Sequence, residues 1–211
     1  MAGGVRLNPA GSARALAWAW LAALWVAATL LAQFAPSAWL DWQPGLAWQQ
    51  PWRWWTAAFV HWSAQHLLGN LLATALVVAY GMAAAVPLCI TLAWFLAWPL
   101  THLGLLLQPD LLHYGGLSGV LHAGVACTTL WLVWAGRGRR RAIGVAMLLG
   151  LLAKLFSEQP WGPALRQTEG WDIAIAPLAH STGALAGLLM GGLCLAAAGS
   201  LRRQRVRPLG H

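Results

Sequence analysis

The sequence predicts an all-α protein, a polytopic membrane bundle of six transmembrane helices. Three observations predict it. The chain of 211 residues is 59% hydrophobic and only 9% charged, where a water-soluble domain carries roughly 25% charged residues. Six apolar runs follow one another, at about 15–34, 64–84, 87–107, 118–135, 142–157 and 177–198, most of them long enough to cross a bilayer. The arginines cluster between alternate runs. Residues 1–211 are therefore read as a single membrane domain.

The first run follows a short basic segment with Arg6 and Arg14. A cleaved signal peptide ending near Pro36 is the alternative, but the run is long for one, which favours a retained helix. Residues 35–63 are crowded with tryptophan (Trp39, Trp42, Trp48, Trp52, Trp54, Trp55 and Trp62). Tryptophan prefers the membrane–water boundary, so this loop is expected in the interface. Ser63 is an N-cap for the second run, and His66 and Asn70 then lie one turn apart on one face. Pro87 opens the third run. A turn with Pro109, Asp110 and His113 leads to Gly115-Gly116-Leu117-Ser118-Gly119-Val120-Leu121-His122, where a glycine-rich break delivers Ser118 onto the first turn of the fourth run. The fifth run carries Lys154 and Glu158, unusual at such a depth: an i,i+4 ion pair with a snorkelling stem is the plain reading, and a role at a substrate gate or in recognising a carboxylate is the alternative. Pro177 opens the sixth. Cys89, Cys127 and Cys194 fall inside apolar runs, which suits buried structural cysteine and no disulfide framework.

Charge placement sets the orientation. Ten of the thirteen Lys and Arg lie in the N-terminus, the loop after the fourth run and the C-terminus. With six spans these segments share one side, the cytoplasm. All five carboxylates (Asp41, Asp110, Glu158, Glu169 and Asp172) fall on or near the other side. The net charge of +8 thus reads as a topology signal facing anionic lipid, and no nucleic-acid partner is expected.

The second, fourth and sixth spans run from outside to inside. His66, Asn70, Ser118 and His180 each lie within about two turns of an outer helix end. Any one intramembrane histidine could be a structural hydrogen bond; polar groups from three helices at one depth point to function. A serine at a helix start sits beside unpaired N–H groups able to hold an anion. Gly183 and Gly187 below His180, with Gly119, Ala123 and Cys127 on the fourth span, allow close helix approach, which brings an imidazole within reach of Ser118.

These residues resemble the rhomboid intramembrane serine proteases. Gly116-Leu117-Ser118-Gly119 resembles that family's GxSG nucleophile motif. His180 with Gly183 and Gly187 resembles its His-x-x-Gly-x-x-x-Gly helix. His61, His66 and Asn70 match its His-x4-His-x3-Asn signature, and Trp52-Arg53 its Trp-Arg motif. The resemblance implies a six-helix rhomboid-like bundle and a catalytic Ser118–His180 dyad that requires no third acid. It implies an oxyanion site of His66, Asn70 and the Ser118 backbone, and a site lined by His61, Gly116 and His122. His122 stands where many members carry a tyrosine stacked on the catalytic histidine. The short chain and the glycine-rich serine run resemble the rhombosortase branch most. That branch implies a transmembrane protein substrate with a helix-destabilising C-terminal Gly-Gly segment. It also implies residence in a bacterial inner membrane, with both termini cytoplasmic and the site opening to the periplasm.

No cofactor and no metal are expected. His61-Trp-Ser-Ala-Gln-His66 lacks the His-Glu-x-x-His of metalloproteases. A haem or quinone protein could use intramembrane histidines but would not need the glycine-flanked serine. A general rhomboid protease with other transmembrane substrates, and a non-catalytic helix-binding member, are the alternatives. Asp172 is the only acid read as near His180, and its loop position argues against a triad. His102, His113 and His211 are read as interface or tail residues.

Overall fold

A computed structural model describes the backbone of residues 9–206 and the side chains of residues 16–200. Arg6, Arg207 and His211 lie outside the described residues, as do the side chains of Arg14, Arg202, Arg203 and Arg205. The chain forms α1 (Pro9–Ala32), two short helices α2 (Ser37–Leu40) and α3 (Arg53–Thr56), then α4 (Ala64–Ala83), α5 (Leu88–Leu103), α6 (Ser118–Ala135), α7 (Arg139–Glu158) and α8 (Pro177–Val206). No strand occurs among the described residues, only two isolated antiparallel bridges, Trp42–Tyr114 and Arg166–Ile175. This is a polytopic membrane helical bundle. By length and composition α4, α5 with its 3₁₀ extension to Leu107, α6, and α8 up to Ser200 are each apolar enough to cross a bilayer.

Local chemistry explains where the helices begin. Ser63 caps α4, its Oγ accepting from the His66 N–H at 3.0 Å. Pro177 opens α8 at a position where a missing N–H leaves nothing unpaired. α7 starts after Gly138 at φ 51° and ends at Gln159 in the left-handed region. The α4–α5 turn is closed from below: the Arg140 guanidinium and the Trp131 indole both donate to the Ala84 carbonyl, at 2.6 and 3.1 Å. One of the clustered arginines therefore neutralises a helix C-terminus.

Helix α6 is the centre of the bundle, with 56% of its span buried against 22% for α4. It packs most closely on α8, and small residues set the spacing. A Cβ on Gly183 would overlap the Gly119 carbonyl, and one on Gly187 the Ala123 carbonyl. The Cys127 thiol donates to the Gly187 carbonyl at 3.2 Å. Three successive turns thus run in step down the contact.

Tryptophan fills the opposite side of the core. Trp18 stacks on Trp94 at 4.0 Å, and Trp25 meets Trp94 and Trp98 edge-on. The Trp94 indole crosses Gly124 and donates to the Val120 carbonyl at 2.7 Å. Residues 35–63 are only partly the interfacial layer their composition predicts. Trp39 and Trp48 are exposed, but Trp42 is fully buried. Their loop is nailed down by an ion pair between buried Arg53 and Asp41 at 2.9 Å. His102, expected at the interface, turns into the protein: it is fully buried near the end of α5, with Nδ1–H donating to the Trp54 carbonyl.

Candidate active site

The segment before Ser118 is held in a shape only glycine allows. Gly116 has φ +133°, and a Cβ there would lie 2.8 Å from His66 Nε2. A Cβ on Gly115 would meet the Val60 side chain at 2.7 Å. The Gly116 N–H donates to the Ala57 carbonyl, and the Tyr114 hydroxyl donates to the Gly116 carbonyl, each at 3.0 Å. Burial pushes the Tyr114 phenol up to about 12, so it stays a proton donor. The chain enters α6 from this clamp, and Ser118 is the first helical residue.

Ser118 Oγ lies 2.9 Å from His180 Nε2, contributed by the first turn of α8. His122, one turn below Ser118, donates from Nδ1 to the Ser118 carbonyl at 2.7 Å. Its ring stacks on His180 with centroids 4.3 Å apart and an 18° tilt. His122 therefore occupies the place against His180 that the sequence resemblance gives to a tyrosine. His66 presents Nε2 to Gly116, and Asn70 places its amide Nδ2 near the same point while donating to the His66 carbonyl at 3.1 Å. His66 Nδ1 is buried without a partner among the described residues. His61 packs on His66 at 4.7 Å. Its imidazole is lowered to about 4, first by burial and then by the neighbouring His66.

A cavity of about 370 Å³ opens onto these groups, lined by Trp62, His66, Asn70, Ser118, Trp171 and His180. Residues 159–176 roof it. Trp171 lies across Gly69, where a Cβ would be 2.9 Å from its ring. Gln65 donates to the Gly170 carbonyl at 2.7 Å and accepts from the Asp172 N–H at 3.1 Å. The Asp172 carboxylate accepts from Ser63 Oγ at 2.8 Å, so it is turned to α4 and away from His180. A second cavity, almost wholly apolar and also about 370 Å³, lies between α4 and α7 on a floor of Leu121 and Val125. The two share Ala73, His122 and Lys154.

Sequence reasoning missed Glu158 as a neighbour of His180. Its Oε1 does pair with Lys154 Nζ, at 2.6 Å, but Oε2 is 2.8 Å from His180 Nδ1. The available signal was a carboxylate and an ammonium one turn apart at the C-terminal end of a helix whose middle is apolar. His113, expected as an interface or tail residue, pairs with the buried Asp41 carboxylate at 2.6 Å and lines the cavity at Ser118.

Fold and site together define a class: a helical membrane bundle whose helix starts gather a serine hydroxyl, an imidazole and amide donors around one cavity. The family described as Rhomboid domain matches residues 48–197. The chain is 30% identical over 178 residues to the rhomboid protease GlpG of Yersinia enterocolitica serotype O:8 / biotype 1B, covering 80% of this chain and 57% of that protein. The chain thus spans little more than half the length of the curated relative it matches. It belongs to the rhomboid family.

Proposed function

We propose that this chain is an intramembrane serine endopeptidase that cuts single-span membrane proteins near the outer face of the bilayer. The observation that carries the reading is the 2.9 Å contact between Ser118 Oγ and His180 Nε2, at the mouth of a cavity and beside an apolar groove. In this reading all six long helices cross the bilayer as one membrane domain, with both termini cytoplasmic. The apolar groove between α4 and α7 receives the substrate helix.

The chemistry follows from the groups present. Ser118 Oγ attacks the scissile carbonyl carbon while its proton passes to His180 Nε2. The negative charge collects on the former carbonyl oxygen. It is met by N–H groups at the start of α6 and by donors on His66 and Asn70. Collapse breaks the C–N bond, and the Nε2 proton leaves with the amine. Water then enters through the outer cavity and attacks the acyl carbon as its proton passes to His180 Nε2; the bond from the acyl carbon to Ser118 Oγ breaks, and His180 returns that proton to Oγ.

We further propose rhombosortase-like specificity: an inner-membrane protease for substrates with a C-terminal Gly-Gly segment before their helix. Its support is the sequence resemblance, together with a roofed cavity into which a glycine-rich segment could unwind without bulky side chains. The test is cleavage in proteoliposomes of a single-span protein with an outer Gly-Gly segment, beside the same protein without the glycines. Cleavage by wild type, absent in Ser118→Ala and His180→Ala, supports the protease. Dependence on the glycines supports the finer specificity, and indifference to them removes it. No cleavage, with Ser118 inert to a fluorophosphonate, would overturn both.

A further inference from the structure

One carboxylate touches the Ser118–His180 pair. Glu158 ends α7, and its side chain is 14% exposed. Its two oxygens have different partners. Oε1 faces Lys154 Nζ, which belongs to the same helix and is half-exposed, while Oε2 crosses to His180 Nδ1 on α8. A carboxylate beside an ammonium is a pure acceptor. The proton between Glu158 and His180 therefore belongs to Nδ1. This fixes the tautomer, and Nε2 is left with its lone pair facing Ser118 Oγ.

Other groups around His180 do not supply this. His122 stacks on the ring, but its Nδ1–H is given to the Ser118 carbonyl. His66 on α4 faces Gly116. The Asp172 carboxylate in the roof is held by Ser63. Among the described residues Glu158 is the carboxylate within hydrogen-bond distance of His180. A merely structural bridge between α7 and α8 could join any pair of polar residues. This one ends on the ring nitrogen opposite the one that faces the serine.

We propose that Glu158 is the positioning residue of the Ser118–His180 pair, holding the His180 ring and tautomer and balancing its charge when the serine proton arrives. This rests on the protease reading. The proton taken from Ser118 stays on Nε2 and leaves with the amine; Glu158 remains ionised throughout.

The test uses the full chain in proteoliposomes with the Gly-Gly single-span substrate, and in lipid nanodiscs with ¹⁵N-histidine for NMR. Glu158→Gln is expected to lower kcat by about 10²–10⁴-fold with KM little changed, as expected when a base loses its orienting acceptor. Glu158→Asp should recover at least part of that loss. A strongly downfield Nδ1 proton should appear in wild type and in Ser118→Ala, and vanish in Glu158→Gln. Glu158→Gln cleaving like wild type, or a downfield proton that survives it, would overturn the proposal. Should Glu158→Gln not fold, the wild-type proton signal and the Glu158→Asp rate decide. Wild type that cuts nothing and leaves Ser118 inert to a fluorophosphonate, but shows the Glu158-dependent proton, would sink the protease reading and leave the hydrogen bond standing. Glu158→Gln active beside an inert Ser118→Ala would sink only this proposal.

Discussion

Gly183 of α8 faces the Gly119 carbonyl of α6 with no room for a methyl group between them. The contact lies one turn below His180 and at the residue after Ser118, so it sets the distance between the two side chains. Gly183→Ala is expected to push the helices apart. Overpacking of this kind costs about 1–3 kcal/mol, and the Ser118–His180 contact should lengthen with it. The measurements are thermal unfolding in detergent and the cleavage rate, both expected to fall. Gly192→Ala is the control, because a Cβ there meets nothing within 4 Å. Equal behaviour of the two variants would separate the glycine contact from the site.

Gly116, His66 and Asn70 form the next testable unit. Under the proposed oxyanion role, His66→Ala and Asn70→Ala should each lower kcat by about 10–10³-fold with little change in KM, the range set by loss of one preorganised donor. Gly116→Ala should be at least as harmful. Its Cβ would press on His66 Nε2, and its φ of +133° is strained for any L side chain. A substrate-level KM effect without a kcat effect would place these residues in binding and remove them from transition-state stabilisation.

Much of this arrangement was legible in the sequence, for physical reasons that also mark where legibility ends. Ser118 after two glycines, and His180 above glycines at spacing four, are local patterns, and local patterns survive folding. Glu158 was not legible as a partner of His180. Its position on α7 is local, but its meeting with α8 depends on how α7 is rotated and on where the helix stops at Gln159. The tryptophan loop was half legible. Composition places it at the boundary, yet Trp42 is buried because its backbone pairs with Tyr114. No periodicity announces a pairing between residues 72 positions apart.

The site also predicts strong non-additivity. If Ser118 and His180 act as one unit, Ser118→Ala, His180→Ala and the double variant should all fall to the same residual rate. Cleavage measured over long incubations would show it. A double variant clearly slower than both single variants would mean that each residue works alone, which the 2.9 Å contact does not suggest.

His61 predicts a pH dependence of stability, and its sign can be worked out. The residue lies in the connection before α4, 9% exposed, and burial lowers its imidazole to about 4 from the ordinary 6.5. Between those values the unfolded chain binds a proton that the folded chain refuses. The stabilisation is therefore present above pH 6.5 and is lost as pH falls towards 4, by about 3 kcal/mol at most. Unfolding temperature followed from pH 7 to 4 should decline across this window. His61→Phe keeps the ring volume and removes the titration, so its decline should be shallower even if its baseline is lower. Parallel slopes would assign the acid sensitivity to other groups.

Arg53 and Asp41 test what holds the tryptophan loop beside the site. Both side chains are almost fully buried, and Arg53 uses its whole fork: Nη1 donates to the Asp41 carboxylate and carbonyl, Nη2 to the Ala38 carbonyl, and Nε to Gln50 Oε1. Asp41 in turn receives His113, which lines the cavity at Ser118. Removing one partner leaves a buried charge uncompensated, so Asp41→Ala should destabilise by about 3–5 kcal/mol. Arg53→Lys keeps the charge but cannot reproduce four directed hydrogen bonds from one ammonium, so it should rescue little. Limited proteolysis between residues 36 and 63 is the direct measurement. Both variants should be cut there well before wild type, and cleavage of substrate should drop because His113 and the Val60 wall against Gly115 lose their support. A loop that stays protected in Asp41→Ala would mean that tryptophan burial alone holds it, and that the ion pair contributes little to the site.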